Sequence, residues 1–284
     1  MAKTIAIVGA GRVGQTLGRA LRRRGYRIGS VVTQSARTTR RAARFIGAGQ
    51  PEASLTPKIA RASIVLLATP DPTLASLARQ LARWETRWRG KVVLHASGTQ
   101  NARVLEPVRR RGAAIGSMHP IFPFSQPLKE FPRGVFFGIE GDRRGVKRAK
   151  ALVCALGGVP VTVRSTRKSL YHAAAALSAG QLMTLFDLAS RALSQAGVPR
   201  AQARQALLPL AQATLDAYAQ QGERSWVGPL ARGEARIVKR HLAALGKLSR
   251  RHREVYALLG RAALELYRGK GSKRGKQWRR LLGP

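Results

Sequence analysis

Between residues 9 and 14 the chain reads Gly-Ala-Gly-Arg-Val-Gly, three glycines whose spacing suits phosphate binding. A G-x-G-x-x-G turn between an apolar strand and a helix lets the backbone approach a pyrophosphate. Gly9 would make the tight turn, Gly11 would admit the phosphates, and Gly14 would let the helix lie against the strand. The unpaired N–H groups of the helix start, at Arg12 and Val13, would face the anion. About twenty residues on, an acidic side chain would hold a free ribose 2′-hydroxyl. Here the chain runs Gln34-Ser35-Ala36-Arg37, and the first acid anywhere is Glu52. Ser35 and Arg37 can instead donate to a 2′-phosphate, and Arg12 can cover the adenine or reach the same phosphate. The expected cofactor is therefore NADP (NADPH) rather than NAD, with solvated surface as the other reading of Arg37.

Chemistry beyond binding is sought at the carboxyl ends of the strands, where ligands of open parallel sheets lie. Three such ends carry polar or turn-forming groups: Thr69-Pro70-Asp71, His95-Ala96-Ser97-Gly98 and Ser117-Met118-His119-Pro120. The first would border the cofactor. His95, Ser97 and His119 would converge where a nicotinamide ring projects, with His95 and Ser97 as catalytic candidates and His119 as a substrate contact or a structural loop residue.

The elements that must hold these groups alternate apolar runs with helical ones as far as residue 163. TIAIVG, RIGSVVT, SIVLLATP, KVVLHAS and AAIGSMHP read as strands; helices are expected from Arg12, over 37–46, 72–88 and near 101–111. GVFFGIEG, a helix over 144–156 and VPVTV extend the pattern. This is an α/β chain: a Rossmann domain over 1–163, doubly wound with a mainly parallel sheet. From residue 164 only helical periodicity follows, over 170–196, 200–220, 233–245 and 249–267, so 164–267 forms an all-α domain. Residues 268–284 hold seven basic and no acidic side chains between Arg268 and Arg280 and read as a disordered tail.

Composition narrows the partners. The chain carries 52 Lys+Arg against 13 Asp+Glu, a net charge of +39, so its field attracts polyanions. The arginines are interleaved with alanine rather than gathered beside aromatic residues, which favours nonspecific polyanion binding over dedicated nucleic-acid recognition. The single cysteine, Cys154, reads as a core filler. The stretch 170–193 is apolar but contains His172, Gln181, Asp187 and Arg191, which argues against a membrane span. No basic and apolar segment precedes the first strand, so a cytoplasmic protein is expected.

The glycine fingerprint, LHASG, GSMHP, the helix start Lys168-Ser-Leu-Tyr171-His172-Ala-Ala-Ala and Gly228-Pro-Leu-Ala-Arg232-Gly-Glu234 together resemble a family of Rossmann-like oxidoreductases. Its members carry a C-terminal helical domain of unknown function and are related to pyrroline-5-carboxylate reductase, ketopantoate reductase and the β-hydroxyacid dehydrogenases. The resemblance spans about residues 3–265. It implies an NADP-dependent reductase of a small carbonyl or imine compound, assembled as a homodimer through the helical domain. It also implies catalytic roles for Lys168, on the substrate oxygen or nitrogen, and for His172, on the same helix face four residues on. Arg232 would bind a substrate carboxylate or cap a helix. One departure stands out: Gly180 occupies a position where the family carries an asparagine, which leaves room for a catalytically silent NADP-binding or redox-sensing protein.

Overall fold

The computed structural model describes residues 3–268 and 275–283. Two compact units divide the chain between Ala179 and Gly180, later than the change of periodicity at 163 suggests, so the helix that starts at Lys168 belongs with the sheet.

The first unit holds an eight-stranded sheet in the order β3-β2-β1-β4-β5-β6-β7-β8. Its strands are β1 (Thr4–Val8), β2 (Arg27–Val32), β3 (Gln50–Glu52), β4 (Ile64–Leu67), β5 (Val92–His95), β6 (Ala114–Pro120), β7 (Phe136–Gly141) and β8 (Val159–Thr162). The first six are parallel, and their order is the doubly wound one with its switch point between β1 and β4. The fold class is as expected. Strand β3, short and polar, carries no periodicity and was not expected. Strand β7 runs antiparallel to β6 because no helix lies between them, and a parallel return needs a crossover.

Helices α1 (Arg12–Arg23), α2 (Ala36–Ile46), α3 (Asp71–Arg83), α4 (Glu106–Arg109), α5 (Arg143–Ala155) and α6 (Lys168–Ala176) complete the unit. Alternate residues of β1 enter opposite cores, since a strand's side chains alternate between faces. Ile5 and Ile7 pack with Leu17 of α1, Ile46 of α2 and Leu152 of α5. Ala6 and Val8 pack with Leu74 and Leu81 of α3, Val108 of α4, and Trp88. Helix α3 stops at Arg83, short of the expected Trp88, whose buried ring lies beside Trp84. The helix expected near 101–111 is a 3₁₀ turn, Ala102–Leu105, followed by the single turn of α4. In α5 the apolar stripe is Ala149, Leu152, Val153 and Leu156, which turns Cys154 outward; it is exposed and not a core filler.

The second unit is helical. A π turn, Leu177–Gln181, interrupts the single helix expected over 170–196, and α7 (Leu182–Gln195), α8 (Arg200–Gln221), α9 (Pro229–Arg232), α10 (Ala235–Leu248), α11 (Arg250–Arg268) and α12 (Gly275–Leu282) follow. Its core joins Val238 and Leu242 to Ala257, Trp278 and Leu282. Within the basic tail expected to be disordered, α12 is a helix because Trp278 and Leu282 supply one buried edge; residues 269–274 lie outside those described. No helix among the described residues is long and apolar enough to cross a membrane.

The α5–β6 contact allows no side chain at Gly145: a Cβ there would collide with the backbone carbonyl of Ile115. Asp142 fixes that approach, its Oδ1 accepting the Gly145 N–H at 2.7 Å and its Oδ2 the Ile115 N–H at 2.7 Å. In Gly145→Ala the gain in helix propensity is about 1 kcal/mol, against overpacking of about 3 kcal/mol. The clash wins, and Tm is expected to fall by several degrees in a thermal melt; an unchanged or raised Tm would refute the contact.

Candidate active site

The carboxyl ends of β1, β2 and β4 enclose a cavity of about 510 Å³ lined by Gly9, Gly11, Thr38, Arg41, Thr69 and Pro70, among others. Gly9 has φ +84°, and a Cβ on it would strike Thr69. A Cβ on Gly14 would come within 2.6 Å of the Gly9 carbonyl oxygen. Packing alone therefore demands those two glycines. Gly11 is different, because a Cβ there would meet only the Gly9 oxygen at 4.0 Å. The space it leaves opens into the cavity, and no side chain caps α1, so the N–H groups of its first turn stay available to an anion. These residues fit a dinucleotide.

At the end of β2 the expected residues give way to their neighbours. Ser35 is the N-cap of α2, its hydroxyl accepting the Thr38 N–H at 3.3 Å. Arg37 is exposed and does not line the cavity; Thr38 and Arg41, three residues apart and so on one helix face, do. Likewise Arg12 is exposed outside the cavity lining, and Val13 packs against the sheet.

The other strand ends gather around Lys168. The residue is 2% exposed, and its ammonium donates to Ser117 Oγ on β6 at 2.8 Å and to the Ser97 carbonyl after β5 at 3.2 Å. It also lies 5.4 Å from the centre of the Tyr171 ring. Burial pulls its pKa down to about 8, against the weaker pull of Glu140 and Asp71. Ser97 shapes the turn, its Oγ accepting the N–H groups of Thr99 and Gln100 at 3.2 and 2.9 Å. His95 is fully buried, its Nδ1 accepts the Ser97 N–H at 3.2 Å, and burial followed by the Lys168 charge takes its pKa to about 3. Asp71, between the cavity residues Pro70 and Thr73, accepts from the Thr99 hydroxyl and ties this turn to the cavity wall.

One turn along α6, the Tyr171 hydroxyl lies 2.8 Å from His119 Nδ1 and 3.2 Å from the His119 carbonyl oxygen. Burial raises the phenol to about 12; His119 falls to about 4 through burial, Lys168 and His172 in that order. The His172 ring stands 6.0 Å from that of His119. Two glycines make room: a Cβ on Gly98 would come within 2.5 Å of His172 and 2.8 Å of His119, and one on Gly138 within 2.5 Å of the Tyr171 ring. Glu140, 3% exposed, accepts from the Ala102 N–H at 2.8 Å and the Ser165 hydroxyl at 2.7 Å, anchoring the turn that leads into α6. Tyr171, which the sequence offers only as part of the α6 motif, and Glu140 are not among the expected site residues. Tyr171's place three residues after Lys168, on the same helix face, was the available signal. Arg232 stands in the second unit, paired with Glu234 at 3.0 and 2.9 Å.

A Rossmann-like domain matches residues 2–120, and the domain of unknown function DUF2520 matches residues 135–263. The chain is a Rossmann-like protein with a DUF2520 domain. The DUF2520 part begins at β7 and contains Glu140, Lys168, Tyr171 and His172, whereas His95, Ser97, Ser117 and His119 belong to the Rossmann-like part. Neither segment alone holds the cluster. Among solved structures the chain is similar to a candidate NADP oxidoreductase of Bacteroides fragilis, with 22% identity, TM-score 0.73, and coverage of 93% of this chain and 98% of that one. It is also similar to the reductive aminase from Aspergillus terreus in complex with NADPH and ethyl-5-oxohexanoate (16%, 0.68, 95% and 96%). A third likeness is to the prephenate dehydrogenase of A. aeolicus in complex with hydroxyphenyl propionate and NAD+ (17%, 0.51, 69% and 69%). At these identities the likeness is one of fold. A comparison with curated proteins returns no match.

The buried imidazoles set an acid limit. Their folded pKa values of about 3 and about 4 lie below the 6.5 of a free histidine. Between pH 6.5 and 4 the unfolded chain therefore binds protons that the folded one does not, and stability falls as pH drops. In urea titrations the unfolding free energy of His119→Asn should decline less steeply over that window, by about 1.4 kcal/mol per pH unit for one proton; an identical slope would mean that His119 titrates normally in the fold.

Proposed function

We propose that this protein is an NADP-dependent oxidoreductase acting between NADPH and a small carbonyl or imine compound. The observation that carries the reading is the Tyr171–His119 pair at the carboxyl end of β6: Lys168, against the Tyr171 ring, reaches the Ser97 turn, which Thr99 and Asp71 tie to the wall of the glycine-lined cavity. When bound, the nicotinamide supplies the hydride; the protein has to orient the substrate and move one proton. Tyr171 keeps its proton at neutral pH and is the donor to the substrate oxygen or nitrogen as negative charge develops there. Neutral His119, hydrogen-bonded to the phenol through Nδ1, stabilises the phenolate, and it relays a proton to it from water, taking one at Nε2 as Nδ1 gives up its own, so that the ring ends neutral. Lys168 spends its donors on Ser97, Ser117 and the Tyr171 ring face, so it orients Tyr171 instead of touching the substrate. The His172 ring stands beside that of His119.

The coenzyme choice rests on Arg41 and Thr38 lining the cavity and on the lack of a carboxylate at the end of β2. The reductive aminase seen with NADPH shares the fold and supports the same choice. Exposed Leu182, Met183, Leu208, Leu210 and Leu215 on α7 and α8 suit a second copy, hence a homodimer through the helical unit. A second reading is favoured by the sealing of Lys168: an NADP-binding protein without turnover. Testing keto acids, aldehydes and cyclic imines for NADPH oxidation separates the two.

NADPH should raise Tm more than NADH at equal concentration, and Arg41→Ala should narrow the gap, because one charge-assisted phosphate contact is worth about 1.5–3 kcal/mol. No shift with either coenzyme would remove the cofactor assignment. Tyr171→Phe should keep the NADPH-induced shift while lowering kcat by about 10²-fold or more, and an unaltered kcat would disqualify Tyr171 as the proton donor.

A further inference from the structure

The charge of the first unit is divided unequally between the two sides of its sheet. Helices α1, α2 and α5 cover one side, as the core they share shows, and carry thirteen Arg and Lys with no Asp or Glu. The side covered by α3, α4 and the 3₁₀ turns Pro57–Arg61 and Ala102–Leu105 carries six basic residues and two acidic ones. On the basic side Arg23 alone among the described residues of these helices meets a carboxylate, Glu130 at 3.5 Å, and both side chains are largely exposed. Arg22, Arg40, Arg44, Arg143, Lys147 and Lys150 are exposed. Such a face repels itself and is relieved by a polyanion.

We propose that this face binds double-stranded nucleic acid through its phosphates, without reading sequence, as a function separate from the proposed chemistry at the strand ends. Three features select this partner. Arginine dominates α1 and α2, and its planar fork matches phosphate oxygens two at a time. No large apolar side chain of these three helices is exposed, so the face lacks both the anchors of a membrane-surface helix and the stacking platforms that hold single strands. Eight strands about 4.8 Å apart make a sheet roughly 34 Å wide, a length of duplex that presents about 20 phosphate charges.

The test uses the full chain freed of nucleic acid and labelled duplexes of about 20 bp, roughly two turns, one of DNA and one of RNA. Matched single strands and phosphatidylserine vesicles are the comparison ligands. In fluorescence anisotropy, duplex affinity should fall steeply between about 50 and 200 mM salt. The variant Arg40→Glu, Arg44→Glu, Lys147→Glu, Lys150→Glu should bind duplex at least about 10-fold more weakly, with its log–log salt slope reduced by about 3 to 4. A variant of equal net charge on α10 and α11, Arg236→Glu, Lys239→Glu, Lys247→Glu, Arg251→Glu, should bind within about 3-fold of the parent. Circular dichroism and the NADPH-induced thermal shift report the fold of both. DNA and RNA duplexes bound alike support recognition of the shared phosphates, and preference for one assigns the source. The proposal is overturned by absent duplex binding, by equal losses in the two variants, or by single strands or vesicles binding as tightly as duplex.

Discussion

Everything at the strand ends depends on one buried cation. Removing an ammonium from water costs several kcal/mol, and Lys168 recovers that only by satisfying its donors at Ser117, at the Ser97 carbonyl and over the Tyr171 ring. Those acceptors lie on the ends of two neighbouring strands, so the first turn of α6 can dock in few orientations. Tyr171 and His172, three and four residues on, are then aimed by helix geometry alone. Glu140 supports the same arrangement from behind: its carboxylate takes the Ser165 hydroxyl and thereby places the residues that enter α6. A neutral isostere at 168 would leave the Ser117 hydroxyl oxygen without a donor and the Ser97 carbonyl with only the Ser117 hydroxyl at 3.5 Å, a cost that polar burial makes larger than the loss of the hydrogen bonds themselves.

The parts of this structure that were readable in advance are those encoded by periodicity and by glycine. The doubly wound order follows from continuous apolar strands alternating with helices, and the phosphate turn follows from three glycines of which one, Gly11, is required by nothing inside the protein. The expectation that His95, Ser97 and His119 converge rests on the same pattern, because strand ends in such a sheet share one side, whereas Lys168, at a helix start, was pointed to by the family resemblance alone. Side-chain direction was not. Ser97 and Ser117 look alike in sequence, yet one hydroxyl folds back on its own turn while the other faces the lysine. Likewise Ser35 and Arg37 sit beside and in the right element, but Ser35 caps α2 and the helix face toward the cavity is set one turn later, at Thr38 and Arg41.

What stayed hidden depends on pairing between distant segments. Gly138 matters because β7 runs antiparallel and brings it opposite His119, where the Tyr171 ring needs the space a side chain would fill. Nothing local to Gly138 announces this. The helix α12 was obscured by composition: its arginines read as a solvated tail, while Trp278 and Leu282 alone supply the buried edge. The π turn at Leu177–Gln181 is marked locally only by Gly180, a poor helix former, among residues that suit an ordinary helix.

The distribution of acids gives the arginine excess its meaning. The carboxylates that remain are mostly committed: Glu140 and Asp142 to backbone N–H groups, Asp71 to the Thr99 hydroxyl, and Glu106, Asp187, Glu234 and Glu254 to arginines close by in sequence. Acids are thus kept where they cap, anchor or orient, and few are spread over the surface as balancing charge. Exposed ion pairs contribute little to stability, so their scarcity costs the fold little beyond long-range repulsion, which salt screens. The same field draws phosphate to the molecule from a distance. At the start of α1 it adds to the helix dipole and the free N–H groups, so the dinucleotide cavity and the basic side of the sheet draw on one electrostatic source. The first selects its anion by shape; the second can select only by charge density.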